Sequence, residues 1–429
     1  MNKYIFALAG ILASAVFAPE AMALPAFARQ TGMACSACHQ QHFPVLNKFG
    51  RAFKAGGYTM MGAQGKVEGE ALSLPDTLNA AIFAKIRYQK DNSPATAGKK
   101  ASNLPNSLGD GQLQFGDEIS LFFGGRVGEN IGFLFEGNTV AVGGALMAGI
   151  KMPFVFDAGD AKLSVIPFST DALSVQYGYE LSSGGVMRAN RWAEHRRETS
   201  AVQYNADRGN NGGAATGVSL VAQNDMGYIG YTKWAPVYAM GANGAAEPSY
   251  DMGSNYLRIA ATPSVGGWDM VVGAGAMSGE ASINGVADPV TPGIVMETKQ
   301  TFADLQAHGV VGEKDLGVYA QYATAPVPAA GSESAYGADV TARKAFTLGA
   351  EYAVVPQILN IGLAYRNAKN GAADGVNGDN AVTLTASYHL ALNVVLQANY
   401  SKYSGSAHTT AATANPVTNL YSLLMQAAW

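Results

Sequence analysis

From about residue 79 to its end, the chain alternates apolar and polar residues over segments of about ten residues. A period of two is typical of β-strands that present one face to an apolar environment. In the segment 81–88, Lys85 and Arg87 fall on one face, and the other face is entirely apolar or aromatic. The last segment, 421–429, has a similar apolar face. The pattern predicts an all-β fold for most of the chain.

The apolar faces favour a membrane barrel over a soluble β-sandwich, although a sandwich would also alternate. Tyrosines recur near the predicted strand ends, where the aromatic girdles of outer-membrane barrels lie. The chain ends on Trp429 after alternating strands, which resembles the terminal insertion signal of bacterial outer-membrane barrels. We therefore expect residues 71–429 to form a porin-like transmembrane antiparallel β-barrel, surrounded by outer-membrane lipid.

The connections between the predicted strands have two lengths. Seven short connections alternate with eight longer ones rich in Gly, Ser and Asn, which gives about sixteen strands. The short connections lie near residues 124–130, 157–160, 224–225, 264–267, 312–315, 354–357 and 390–393. The longer connections lie near residues 90–111, 140–146, 171–213, 235–253, 279–299, 325–343, 367–379 and 404–416. Both termini then lie on the side of the short turns, which is the periplasm.

The third long connection, 171–213, is too long for an ordinary loop. It contains the densest charge cluster of the chain, at 188–198. Two interpretations remain open for this cluster: an inward-folded segment that narrows the pore, or a solvated extracellular loop.

The composition agrees with an outer-membrane barrel. The chain is 48% hydrophobic and only 14% charged, and it contains 51 glycines. Its net charge of -4 argues against nucleic acid as a partner, because no basic domain is present to neutralise phosphates. After the N-terminus, the sequence contains no continuous apolar run of 18 residues, which argues against membrane-spanning helices.

The N-terminus has the features of a secretory signal peptide. Lys3 precedes an apolar run over 4–17, and Ala21-Met22-Ala23 is a small-x-small cleavage signal. The apolar run is too short for a transmembrane anchor. We expect residues 1–23 to be removed and the mature chain to begin at Leu24.

Both cysteines of the chain lie in Cys35-Ser36-Ala37-Cys38-His39. Two intervening residues place the sulfurs one helical turn apart, and the pattern is typical of c-type haem attachment. One haem c would then be held covalently by Cys35 and Cys38, with His39 as the proximal iron ligand. A disulfide, a thioredoxin-like pair and half of a zinc site are the alternatives, and each lacks the flanking residues or context it requires.

A short helix is predicted over 44–54, with Pro44 in its first turn and its end at Gly56-Gly57. Leu46, Phe49 and Phe53 share one face, which we expect to pack on the haem. Lys48, Arg51 and Lys54 share another face, where they would pair with haem propionates or remain solvated. Residues 24–70 are too few to bury a haem alone, so this cytochrome segment must dock in or under the barrel lumen.

The residues around the motif resemble the N-terminus of the fused monohaem cytochrome-porins. The resemblance covers the haem motif together with Phe27-Ala28-Arg29-Gln30-Thr31-Gly32, Phe43-Pro44, Leu46-Asn47, Phe49-Gly50-Arg51, Phe53-Lys54 and Gly56-Gly57-Tyr58. It implies an outer-membrane iron oxidase of iron-oxidising bacteria, in which a small cytochrome inside or beneath a sixteen-stranded barrel accepts electrons from extracellular ferrous iron.

The second axial ligand of the haem iron is not evident from the motif. His42 lies one turn beyond the proximal histidine and points to the same haem face. Met60 or Met61 is the preferred distal ligand, because the chain can return across the other face after the glycine break. His308 and His389, predicted to face the lumen, are further candidates.

The expected function is electron transfer from extracellular Fe(II), through the haem, to a periplasmic cytochrome c or a similar carrier. The hydrocarbon slab is about 30 Å thick, so a single haem would have to lie well inside the barrel to connect both sides. Outer-sphere transfer needs no catalytic acid, base or nucleophile. The sequence shows no dedicated iron site: Asp91 and Asp110 in the first long loop are candidate surface carboxylates, and a solvated loop explains them equally well. The alternatives are a haem conduit with another donor or acceptor, and a solute porin with a structural haem plug.

Overall fold

The computed structural model describes residues 25–62, 64–70, 72–94, 108–139, 147–171, 173–182, 213–237, 249–284, 295–337 and 339–429. The predicted leader, 1–23, and the charge cluster at 188–198 lie outside the described residues.

Within the described ranges, sixteen antiparallel strands close into one barrel. Two of these strands are each formed by two consecutive segments, which are joined by 'with' in the next sentence. In chain order, β1 to β16 are Ala80–Asp91, Gln112–Gly128, Ile131–Asn138, Met147–Lys151 with Phe154–Ala158, Ala161–Thr170, Ala215–Asn224, Gly227–Ala235, Ser254–Ala261 with Ser264–Val265, Trp268–Ser278, Gln300–Val311, Lys314–Ala325, Arg343–Val355, Leu359–Lys369, Asn380–Ala391, Val394–Ser404 and Asn419–Ala428. The last strand pairs with the first, with Met425 opposite Ile86, so the sheet has no free edge.

The described chain also contains short elements outside the barrel. A hairpin, Lys66–Gly69 with Leu72–Pro75, precedes the barrel, and a small sheet is formed by Ser249–Tyr250, Glu280–Asn284, Val295–Glu297 and Ser332–Ser334. The helices are α1 (Pro25–Thr31), α2 (Cys35–Cys38) and α3 (Lys48–Ala55), with 3₁₀ turns at Val175–Tyr177 and Ser406–His408. No helix in the described ranges is both long and apolar enough to span a membrane.

The two ends of the barrel differ, as the connection lengths predict. Turns of two or three residues join strands at one end, which we call the short-turn rim, and the longer connections lie at the opposite end. Strand β1 begins and β16 ends at the short-turn rim. The predicted strand number and the alternation of short and long connections are confirmed.

The predicted strand faces are also confirmed. Lys85 and Arg87 are 4% and 0% exposed and point into the barrel, whereas their neighbour Tyr88 is 41% exposed. Leu384 and Leu423 lie on the outside at 53% and 50% exposure. A barrel with an apolar exterior and a polar interior is suited to a lipid surround.

Part of the third long connection folds into the lumen. Residues 173–182 are largely buried, and the Glu180 carboxylate accepts hydrogen bonds from the Tyr228 hydroxyl at 2.5 Å and from Arg258 Nε at 3.1 Å. Arg258 also makes a bidentate ion pair with Asp304 across the lumen wall, at 2.7 and 2.9 Å. Residues 173–182 therefore fold inward, whereas the two interpretations of the charge cluster at 188–198 concern residues outside the described ranges.

Residues 25–62 pack into the short-turn end of the barrel. The Arg51 guanidinium pairs with Asp269 at 2.5 Å, at the start of β9. The Gln41 side-chain amide donates to the carbonyls of Asp315 and Glu351, and Gln223 donates to the Ala55 carbonyl. These contacts reach strands spread around the rim, so the segment, which we call the plug, covers this end of the lumen.

The helix predicted over 44–54 begins later, at Lys48. Asn47 is its N-cap, and its side chain accepts a hydrogen bond from the Gly50 amide at 2.9 Å. A cap that satisfies a first-turn amide fixes the start more strongly than a proline three residues earlier. Phe53 packs against Phe27 and Tyr58, which are also in the segment 25–62.

Candidate functional site

A cavity of about 410 Å³ lies between the plug and the short-turn rim of the barrel. The plug lines it with Cys35, Ser36, His39, Gln40, Gln41, His42, Phe43 and Asn47. The barrel wall lines it with residues near the strand ends and turns, including Phe83, Asp315, Asn360, His389, Asn393 and Gln426. The haem motif and a chamber of cofactor size therefore occur together, at one rim and not at mid-barrel.

The motif itself forms α2, a single helical turn. Cys35 and His39 line the cavity, while Cys38 is buried beside it and is not part of the lining. The two thiols are not joined in a disulfide. Asn47 stabilises this turn, because its side-chain amide donates hydrogen bonds to the carbonyls of Ala37 and Ser36 at 3.0 and 3.3 Å.

Burial controls the acidity of both thiols. It raises the pKa of Cys35 to about 11, and it also raises the pKa of Cys38. The cysteines of thioredoxin-like pairs have lowered pKa values, because a thiolate is the reactive form. The surroundings of these two thiols therefore disfavour the redox-pair alternative.

His39 is held in an orientation that suits metal ligation. Its Nδ1 lies 3.3 Å from the Val45 carbonyl oxygen, so a proton on Nδ1 leaves the Nε2 lone pair available. Burial is the main cause that lowers the His39 pKa to about 4, and the ring is neutral at pH 7. A neutral imidazole is the form that binds a metal.

His42 has no nitrogen left for a metal. Its Nδ1 lies 2.7 Å from the Phe43 carbonyl oxygen, and its Nε2 lies 2.7 Å from the Glu351 carboxylate. The exclusion of His42 as distal ligand thus rests on its partners as well as on its position in the sequence.

The methionines preferred as distal ligand do not line the cavity. Met60 is 36% exposed, and its carbonyl accepts a hydrogen bond from Gln30. Met61 is also absent from the cavity wall, and so is His308, whose Nε2 lies 3.2 Å from the Tyr319 hydroxyl. Of the distal candidates from the sequence, the structure brings only His389 into the cavity.

The basic face of α3 takes part in docking the plug: Arg51 is buried, whereas Lys48 is exposed, as the solvated alternative predicted. Arg51 is buried and pairs with Asp269, and Lys48 donates to the Ser264 hydroxyl at 3.1 Å. These side chains attach the plug to the wall between β8 and β9. Sequence reasoning missed this pairing, because Arg51 and Asp269 are 218 residues apart along the chain.

No cluster of three or more His, Cys, Asp or Glu residues suited to a metal ion occurs in the part of the chain that the structure describes. Asp91, expected at the surface, is buried, and its carboxylate accepts hydrogen bonds from the Ser93 amide and hydroxyl. The expectation for Asp91 is therefore wrong, because the end of β1 turns this carboxylate inward. Asp110 is exposed.

The fold and the cavity together define a porin-like barrel of the outer-membrane type, closed at its short-turn rim by an N-terminal plug. No protein-family model matches the chain, and no curated protein matches it.

Two solved structures with a similar fold are described as outer-membrane proteins. The outer membrane channel DcaP of Acinetobacter baumannii is 11% identical with a TM-score of 0.49, over 85% of this chain and 99% of that chain. A loop-deletion mutant of OmpT, an outer membrane protein of Vibrio cholerae, is 14% identical with a TM-score of 0.48, over 82% and 99%. Similarity at this level assigns neither a ligand nor an activity to this chain.

Proposed function

We propose that this protein is an outer-membrane monohaem c-type cytochrome-porin. It oxidises extracellular Fe(II) and passes the electron through its haem to a periplasmic carrier, such as a cytochrome c. The observation that carries the proposal is the joint position of Cys35 and His39 in a cavity of about 410 Å³ at the short-turn rim. The termini, at the same rim, lie on the periplasmic side.

The residues present are suited to a covalently attached haem. Cys35 and Cys38 would hold it through thioether bonds, and His39 would ligate the iron through Nε2, because Nδ1 faces the Val45 carbonyl. The haem supplies a one-electron redox centre when it is bound. The chain itself excludes lipid with its closed wall and shields the cavity with the plug.

The position of the cavity changes the expected path of the electron. The haem was expected well inside the barrel, in or under the lumen, whereas the cavity lies at the short-turn rim, the side on which we place the soluble carrier. The path from the cell surface therefore includes the lumen. Packed aromatic pairs lie in the lumen, with ring centroids 6.2 Å apart for Tyr256 and Phe302 and 5.2 Å apart for Tyr179 and Tyr228.

The test is a reduced-minus-oxidised spectrum of the purified protein with ferrous iron as the sole donor. We expect a c-type spectrum that Fe(II) reduces within seconds, and no attached pigment in the Cys38→Ala variant. A haem that stays oxidised with Fe(II) but is reduced by dithionite would reject the iron assignment and retain the conduit, with another donor or acceptor.

A solute porin with a structural haem plug is the second candidate, and the porin-like barrel favours it. The two functions differ in conductance. A conduit closed by the plug and by residues 173–182 passes few ions, whereas a solute porin conducts in a lipid bilayer.

A further inference from the structure

Two imidazoles face the same cavity from opposite elements. His39 comes from the plug, directly after α2, and His389 comes from the barrel wall, near the end of β14. Alternation along β14 places His389 on the same face as Thr383, Thr385 and Ser387, which are buried in the lumen. The barrel thus presents a nitrogen ligand toward the chamber that holds the haem motif.

One nitrogen of His389 has no partner. Nε2 is buried and makes no hydrogen bond among the described residues, while other atoms of the same residue line the cavity. Burying a polar atom without a partner is unfavourable, so a turn of the ring toward the cavity would give Nε2 a ligand there as its partner.

Both histidines lie beside the 41–45 loop of the plug. The Val45 carbonyl oxygen is 3.3 Å from His39 Nδ1, and the Gln41 backbone is near the His389 ring. Metal-ligating histidines almost always donate their second N–H to such a group, which fixes the tautomer and the ring orientation. The Gln41 side-chain amide donates hydrogen bonds to the carbonyls of Asp315 and Glu351 in the barrel wall. These bonds attach the loop of the plug to the wall beside the two histidines.

The remaining candidates for the sixth ligand are excluded by position or by partners. His42 is bound at both nitrogens, and Met60, Met61 and His308 do not line the cavity. We propose that His389 is the distal axial ligand, so that the haem iron is bound by two histidines, one from the plug and one from the barrel. This inference rests on the proposed haem attachment, and it makes docking of the plug a condition for completing the iron coordination.

The experiment compares His389→Ala with His308→Ala, a control that removes another histidine on the lumenal face of the wall. Covalent haem content is measured first, because the attachment residues Cys35, Cys38 and His39 are unchanged in both variants. In wild type and in His308→Ala, we expect low-spin ferric haem by electron paramagnetic resonance and no carbon monoxide complex in the ferrous state. In His389→Ala, we expect high-spin ferric haem, carbon monoxide binding, and return to low spin when free imidazole is added.

A second variant, His389→Met, covers the case in which the alanine variant does not assemble. Methionine and histidine together raise the reduction potential of a haem relative to two histidines, so this variant should have a higher midpoint potential than wild type. Barrel assembly is checked by heat-dependent migration on gels.

The outcomes separate this inference from the proposed function. Low-spin haem without carbon monoxide binding in His389→Ala, or an unchanged potential in His389→Met, would overturn the bis-histidine assignment while the haem protein stands. A wild-type protein without covalent haem would overturn both.

Discussion

Gly50 shows at the scale of one residue how the plug supports the haem motif. A Cβ at this position would lie 2.1 Å from the Cys38 carbonyl oxygen, so only glycine allows α3 to pack against the backbone of α2. The helix position of Gly50 would otherwise favour alanine. The close approach therefore explains a residue that lowers helix propensity.

We expect Gly50→Ala to destabilise the plug by about 1–3 kcal/mol, because the overlap with backbone forces the two helices apart. Covalent haem content and thermal unfolding of the plug are the measurements. Gly56→Ala is the matched control: its Cβ would be 3.4 Å from the nearest atom, an ordinary contact, so haem content should stay as in wild type. Equal effects of the two substitutions would contradict the packing explanation.

The ion pair of Arg51 with Asp269 fastens the plug to the wall. Arg51 is buried and the Asp269 side chain is about one-fifth exposed, so removal of one partner leaves a partly buried charge. We expect Arg51→Ala and Asp269→Ala each to lower the free energy of unfolding by about 1–3 kcal/mol, less than when one partner of a fully buried pair is removed. The double variant should lose less stability than the sum of the two single variants.

A double-mutant cycle measures this coupling. Unfolding is followed by tryptophan fluorescence in detergent, since Trp268 precedes Asp269 at the rim. Additive costs would show that the two side chains do not interact.

At the scale of elements, Asn47 joins two helices. Its side-chain oxygen caps α3 through the Gly50 amide, and its side-chain nitrogen donates to the carbonyls that end α2. The cap signal is visible in the sequence, whereas the contact with α2 depends on how the chain turns between them. One side chain thereby sets the angle between the haem motif and the helix that docks on the wall.

We expect Asn47→Ala to lower the free energy of unfolding by about 1–2 kcal/mol, because α3 loses its N-cap. We also expect less haem attachment, because α2 loses the two hydrogen bonds from the Asn47 amide. Asn47→Asp separates the two effects, because aspartate keeps the capping oxygen and lacks the amide donor. It should retain the stability of α3 and show only the attachment defect. Full attachment in both variants would mean that α2 needs no support from Asn47.

At the scale of the whole molecule, the lumen is obstructed at two levels. The plug covers the short-turn rim, and residues 173–182 cross the lumen, where Glu180 meets Arg258. In this buried network the single Arg258 guanidinium binds the carboxylates of both Glu180 and Asp304, and so it connects the inner segment to the barrel wall. Outer-membrane barrels of this size otherwise leave an aqueous channel.

We expect low single-channel conductance from the intact protein in planar bilayers. Deletion of residues 25–62 should raise conductance moderately, and replacement of residues 173–182 by glycine and serine in the same variant should raise it several-fold more. Conductance of the intact protein at the level of the doubly altered variant would favour the solute-porin function.

Periodicity alone determined much about this protein. The alternation at Lys85 and Arg87, and the lengths of the connections, predicted the strand faces and the closed sixteen-strand barrel, because a strand between lipid and lumen must alternate. The spacing of Cys35, Cys38 and His39 predicts c-type haem attachment, because that chemistry is local to one helical turn, and this prediction is what the spectrum of the purified protein tests.

Only the tertiary structure decided what faces the motif. The pairing of Arg51 with Asp269, the position of the cavity at the rim and the approach of His389 join residues separated by hundreds of positions. Local sequence patterns do not predict such contacts, because these residues meet only when the barrel has closed and the plug has docked against it. The methionines favoured by proximity in sequence lie away from the cavity, which a histidine from the fourteenth strand reaches.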